Sequence, residues 1–196
     1  QRHFSQIRAS DLLLLNVHDE DVMQRQDAPD ATAWGLHGSI HRHCPGIKCL
    51  MHVHPIYSTV LASLADSRLP AIDQNTATFF NRVVIDEDYG GLALADEGAR
   101  CAEMLSDNPC HVMIMGNHGI LVIGDTVAQA FNRMYYFERA AETYIKALWT
   151  GQPLRRMSDE MAESLAAALE TYYGPTYGHF TELVAVLDRE EPDYRD

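Results

Sequence analysis

The sequence predicts a layered α/β domain with a single core. Three observations lead there. Short apolar runs of strand length alternate with segments whose apolar residues recur at helical spacing. Turn and stop residues fall between them, at Pro45-Gly46, Gly124-Asp125 and Gly151 with Pro153. The chain has 196 residues, 46% hydrophobic and 22% charged, which suits one domain with a full core and argues against disorder. No internal repeat, linker or low-complexity tract divides it, so residues 1–196 are read as one domain.

Taken in order, Leu12-Leu13-Leu14-Leu15 is an apolar run of strand length, and residues 16–31 are polar and loop-like. Trp34, Leu36, His37, Ile40 and His41 fall at helical spacing, with Asp30 or Thr32 as the N-cap, and Pro45-Gly46 ends that helix. Ile47 to His54 reads as a buried strand. Pro55 suits the first turn of the next helix, whose apolar face is Tyr57, Val60, Leu61 and Leu64. Residues 70–91 are mixed and end in the turn-like Tyr89-Gly90-Gly91. Glu97 to Leu105 is a short helix stopped by Asn108-Pro109. Residues 111–115 and 120–123 read as two strands around a Gly116–Gly119 turn. A long helix follows from about Thr126 to Leu148, with Val127, Ala130, Phe131, Met134, Ala141, Tyr144, Ile145 and Leu148 as its buried stripe. Amphipathic helices over 158–173 and about 176–189 close the chain.

The formal net charge of −13 makes nucleic acid a poor partner, since its phosphates would repel the chain. No apolar stretch approaches the ~20 residues needed to span a bilayer, and no signal-peptide pattern opens the chain. Cys44, Cys49, Cys101 and Cys110 form no CxxC pair, so the expectation is reduced thiols in a cytoplasmic protein. The opening Gln1-Arg2-His3-Phe4-Ser5 reads as the middle of an element, and a preceding N-terminal segment is expected to be missing. No GxGxxG, GxxxxGK[ST] or GxSxG motif occurs, which leaves nucleotide-binding loops and a serine nucleophile without support.

One pattern carries chemistry. His52 and His54 end an apolar run, and residues i and i+2 of a strand share a face. His118 sits in Gly116-Asn117-His118-Gly119, a turn that can push its ring outward. Three nitrogen ligands with an open fourth position is the coordination of a catalytic metal. The other reading is a set of packed neutral rings, which satisfies the ring nitrogens awkwardly. His37 and His41 share a helix face but lack the Glu of HExxH, so His41 and His43 are assigned to a polar helix side. His111 and His179 look isolated.

The segments Trp34-Gly35-Leu36-His37, Met51-His52-Val53-His54 and Gly116-Asn117-His118-Gly119, with the helix that follows, resemble the class II aldolase/adducin family over roughly residues 1–150. The likeness is greatest to its bacterial adducin-like branch. The resemblance implies a three-layer αβα domain with a central, largely antiparallel sheet, often assembled as a C4 homotetramer. It implies a divalent metal, commonly zinc and in some members manganese or cobalt, on His52, His54 and His118. In such enzymes the metal acts as a Lewis acid on substrate oxygens and stabilises an enediolate or enolate.

The aldolases carry a Glu acid/base just before the Trp that matches Trp34, where this chain has Ala33. A tyrosine that protonates in the aldolases, often across a subunit boundary, aligns with Tyr89. His37, four residues beyond Ala33 on the helix, is the nearby group that titrates around neutral pH. The family's glycine-rich phosphate loop would lie ahead of Gln1. The expectation is a metal-dependent carbon–carbon lyase, of the decarboxylase or retro-aldolase type, on a small hydroxy-acid, hydroxy-aromatic or sugar-like substrate. The alternatives are a non-catalytic adducin-head-like module and a sugar-phosphate epimerase or dehydratase.

Overall fold

The structure is a computed structural model that describes residues 3–90, 95–106, 110–172 and 178–196. The expected stop at Asn108-Pro109, Gly91 of the glycine turn, Tyr173 and the start of the last helix at 176 lie outside these residues.

Four strands form one sheet: β1 (Cys49–Val53), β2 (Val83–Asp86), β3 (Val112–Met115) and β4 (Gly119–Gly124), in the order β1-β4-β3-β2. β1 with β4 and β4 with β3 are antiparallel; β2 with β3 is parallel. The sheet is therefore mixed and mostly antiparallel. Its strands alternate between two buried faces, as a doubly covered sheet requires. Met113, Met115 and Leu121 face one core, and Val112, Ile114, Ile120 and Val122 face the other.

Helices cover both faces. The first core is closed by α1, which runs through Ala31–Ala33, Trp34–Gly38 and Ser39–His43, and by α4 (Ala95–Ser106). Leu36, Ile40 and Cys44 meet Cys101, Ala102 and Leu105 there. The two helices approach so closely that a Cβ on Gly98 would stand 2.1 Å from the Gly35 carbonyl oxygen. The second core is closed by α2 (Ile56–Ala62) and the long α5 (Val127–Trp149), whose Phe137, Ala140, Ala141, Tyr144 and Ile145 pack on Leu61 and Phe79. α3 (Gln74–Ala77), α6 (Asp159–Tyr172) and α7 (His179–Glu190) complete the fold. Ala71, Ala77 and Ala162 form a small third cluster.

Local chemistry explains most boundaries. Asp30 caps α1 by accepting from the amides of Thr32 and Ala33, and Thr126 caps α5 by accepting from Gln129 N at 3.1 Å. The expected strand at Leu12–Leu15 is not there: the run joins no sheet, and Leu12, Leu13 and Leu14 are 72%, 49% and 96% exposed. An apolar run without a neighbouring strand to pair with has no ladder to make it a strand. Between it and α1, Val22 is fully buried in what reads as a polar loop. On α2, Val60 is exposed and Leu61 holds the core, and Leu64 lies exposed beyond the helix end; on α5, Val127 and Leu148 are exposed ends of the stripe. No described helix is long and apolar enough to cross a membrane. The four cysteines are free.

Candidate metal centre

His52 lies on β1 two residues after Leu50, on the face of α1 and α4, and His54 follows just past the strand end. His118 belongs to the β3–β4 turn. That turn is tightly held: Gly116 N donates to Asp86 O at 2.8 Å, Asn117 N to Ala62 O at 2.9 Å and His118 N to Met115 O at 3.0 Å. Asn117 adopts a left-handed φ of 55°, a conformation that asparagine tolerates better than most residues.

The structure brings the three imidazoles to one point. The Nε2 atoms of His52, His54 and His118 form a triangle with every edge at 3.1 Å. The His52 and His118 rings stack at 8°, and the His54 ring stands at 73° and 72° to them. His52 Nδ1 donates to Ile120 O at 3.0 Å. A carbonyl only accepts, so this bond places the proton on Nδ1 and leaves Nε2 with a lone pair aimed into the triangle. Burial pushes the His52 ring down to about 4, against the raising effect of its Ile120 bond; the charges of His54, His118 and His37 lower it further. Burial and then His54 lower His118 as well. Neutral imidazoles are what a metal needs. Three ligands at ~2.0–2.1 Å from a tetrahedral zinc would be about 3.3–3.4 Å apart, so the triangle fits the ion to a few tenths of an ångström. Among the described residues this is the group of three or more metal-binding side chains whose ligand atoms all lie within 4.8 Å.

Two features hold His54 in place. A Cβ on Gly119 would stand 2.6 Å from His54 Cδ2, so only glycine leaves room for the ring. Beyond Pro55, which offers no side-chain cap, the start of α2 is capped from a distance by Glu138 on α5. Its carboxylate accepts from Tyr57 N at 2.9 Å, Ser58 N at 2.8 Å and Ser58 Oγ at 2.7 Å.

Tyr89 packs on His118 of its own chain, with ring centroids 4.7 Å apart. Its side chain is buried, and among the described residues its hydroxyl has no hydrogen-bond partner. Burial pushes that hydroxyl up to about 12, with Glu97, Cys101 and Asp86 adding to the shift. His37 sits in the π turn Trp34–Gly38 of α1, a geometry frequent at functional sites. It lies outside the triangle but near enough for its charge to act on His52. Burial, then His41, lowers its basicity. Ala33 is exposed at the start of the same helix.

Sequence reasoning did not find Glu138 or Glu97. Glu97 Oε1 accepts from Gly90 N, and its charge reaches both Tyr89 and His118. It stands at the start of what the sequence reads only as a short helix, and the fold alone shows what it faces. His111 and His179 are not isolated either: His111 Nε2 pairs with Glu170 at 2.9 Å and His179 Nδ1 meets Asn132 Oδ1 at 3.0 Å.

The family model described as Class II Aldolase and Adducin N-terminal domain matches residues 1–145. Over 128 residues the chain is 30% identical to a 4-hydroxy-3-prenylphenylpyruvate oxygenase/4-hydroxy-3-prenylbenzoate synthase of Streptomyces roseochromogenus subsp. oscitans, covering 65% of this chain and 45% of that protein. It is 29% identical over 128 residues to Decarboxylase NovR of Streptomyces niveus, covering 65% of this chain and 46% of the relative. The chain thus spans less than half the length of these curated relatives. Among solved structures it resembles an aldolase II superfamily protein from Pseudomonas syringae, with a TM-score of 0.83 and 26% identity over 98% of this chain and 77% of that one.

Proposed function

This chain belongs to the class II aldolase and adducin family, and from that premise we propose that it is a metal-dependent carbon–carbon lyase of the decarboxylase or retro-aldolase type. The observation that carries the reading is the triangle of three Nε2 atoms, one of them fixed in its metal-binding tautomer by Ile120 O. His52, His54 and His118 are the residues that would hold the ion. Zinc suits an all-imidazole set best; manganese or cobalt would use the same ligands. The bound ion supplies Lewis-acid stabilisation of the negative charge left when a carbon–carbon bond breaks.

The rest is the work of side chains. Tyr89 keeps its proton at neutral pH and carries a hydroxyl with no partner among the described residues, which equips it to donate to a developing carbanion. Ala33 cannot move a proton. His37, kept neutral by burial, is the base we assign in its place. Decarboxylation asks least of such a base, because the departing carboxylate leaves no substrate proton to remove. The names of the two Streptomyces relatives, one a decarboxylase and one acting on a hydroxylated phenylpyruvate, support a small hydroxy-acid or hydroxy-aromatic substrate. A sugar-like substrate stays within the proposal. Four free cysteines favour a reducing, cytoplasmic setting. We further propose a homotetramer with its sites near subunit contacts; light scattering at about 22 kDa would contradict it.

The test is metal content and turnover together. Protein purified without chelator should carry about one ion per chain and release carbon dioxide or an aldehyde from a panel of hydroxy- and oxo-acids. His54→Ala should lose both metal and activity. His37→Gln should keep its metal and lose ~10²-fold in turnover. Metal content near zero, or activity that survives chelation, would sink the lyase reading. Ala33 favours a second reading, a non-catalytic adducin-like head, which predicts no turnover on any member of the panel.

A further inference from the structure

A separate cavity of about 180 Å³ opens at the other end of the sheet, where His111 leads into β3; none of the three clustered histidines lines it. One water occupies about 30 Å³ of liquid, so this space takes a molecule of several heavy atoms. Phe79, Leu169 and the Tyr136 ring give it an apolar wall. A face of α5 gives it a polar one, since Gln129, Asn132, Arg133 and Tyr136 follow at i, i+3, i+4 and i+7.

Arg133 is the feature that needs a partner. A guanidinium has five N–H donors and a permanent charge. Arg133 spends Nη1 on Ile123 O at 2.7 Å, and among the described residues no carboxylate comes within 4.0 Å of it. Burial lowers its basicity, with Asp125 and Glu170 opposing at longer range. A half-buried charge without a close counter-ion is costly. The lining carboxylate, Glu170, is already engaged by His111 Nε2 at 2.9 Å and Arg82 Nη2 at 3.3 Å. Asp125 and Glu163 line a neighbouring opening that Arg133, His111 and Glu170 share, but neither comes within 4.0 Å of Arg133, and Glu163 holds Arg82 at 2.6 Å. Gln129 and Asn132 use their side-chain oxygens on Asp125 N and His179 Nδ1, which leaves their amide N–H groups as donors.

We propose that this cavity binds a small organic carboxylate, its charge on Arg133 between the Gln129 and Asn132 amides and its apolar body against Phe79, Tyr136 and Leu169. A dianion such as phosphate fits less well, because its second charge would meet Glu170. The site is independent of the metal centre and of the lyase reading.

Benzoate is the probe, followed on the full chain by saturation-transfer NMR and titration calorimetry. Wild type should bind it saturably, and His54→Ala should bind it equally well. Arg133→Gln should weaken it about tenfold or more, and benzamide, the same shape without the charge, should bind no better than to that variant. Undiminished binding in Arg133→Gln overturns the proposal. Loss in His54→Ala also overturns it, by placing benzoate at the histidines. Displacement of benzoate by equimolar inorganic phosphate overturns the choice of a carboxylate. Should Arg133→Gln fail to fold by circular dichroism, Thr78→Phe, which fills the cavity, must abolish binding; binding that persists refutes the site.

Discussion

Substituting Gly119 by alanine tests whether the histidine triangle is a built site. The added methyl would stand 2.6 Å from His54 Cδ2 and 2.7 Å from the Val53 carbonyl oxygen. Carbon atoms in contact sit about 3.5–4.0 Å apart, so one partner must retreat by roughly 0.9 Å or more. Val53 is paired in register with Ile120 in the sheet and yields least; the exposed His54 ring yields first. Metal sites tolerate ligand shifts of about ±0.2 Å, so the displaced ring no longer meets the other two nitrogens. The expected result is a loss of about 10²-fold in zinc affinity, with a stability cost of ~1–3 kcal/mol for the crowding. Affinity is read by competition with a coloured chelator, and stability by thermal denaturation of the metal-free protein. The reasoning also sets a double-variant outcome. Gly119→Ala should add almost nothing to the affinity loss of His54→Ala, because both act through one ring. Affinity within about twofold of wild type in folded Gly119→Ala protein, or full additivity with His54→Ala, would refute it.

Three further outcomes are expected. Glu138→Gln weakens the cap on Tyr57 and Ser58, and should lower the thermal midpoint by the equivalent of ~1–3 kcal/mol and cut metal affinity about tenfold, measured by the same chelator competition. Tyr89→Phe removes a buried hydroxyl that has no partner among the described residues, so stability and metal content should hold while turnover falls about 10²-fold; an unchanged rate removes Tyr89 from the chemistry. In metal-free protein, His52 and His111 are each held down to about 4, chiefly by burial, whereas unfolded histidines titrate near 6.5. The unfolded chain then binds more protons between those values. Stability should therefore be full above about pH 6.5 and decline as pH falls toward 4, and a denaturation series flat across that window would contradict it.

The convergence of the three histidines was legible because their pattern is local. An HxH at a strand end fixes two rings on one face, and a glycine-flanked turn between two apolar runs marks a hairpin that returns beside it. The caps at Asp30, the stop after His43 and the long α5 were legible for the same reason. What escaped notice depends on distance along the chain. Glu138 lies 81 residues from the amide of Tyr57 that it caps. Nothing in the short mixed stretch around Val83-Val84-Ile85 shows that it pairs in parallel with β3, since a parallel partner is supplied by the crossover through α4. Leu12–Leu15 misleads in the opposite sense: it has the composition of a strand and no neighbour to pair with. The π turn at Trp34–Gly38 leaves the apolar spacing of α1 almost unchanged and so is invisible to periodicity.

The three histidines and their anchor are also separated in time. A ribosome completes His118 some twenty residues before Glu138, roughly one to four seconds earlier at about 5–20 residues per second. During that interval the nascent chain holds every imidazole of the site, but the amides that begin α2 have no carboxylate to fix them. On the proposed metal reading, an ion that bound then would meet a loose set of imidazoles. Once α5 docks, Glu138 closes on Tyr57 and Ser58 and fixes the start of α2 next to His54. A chain that stalls or is cut ahead of Glu138 thus contains all three histidines but lacks the carboxylate that fixes Tyr57 and Ser58, so on the proposed metal reading the completion of α5 is the step that completes the site.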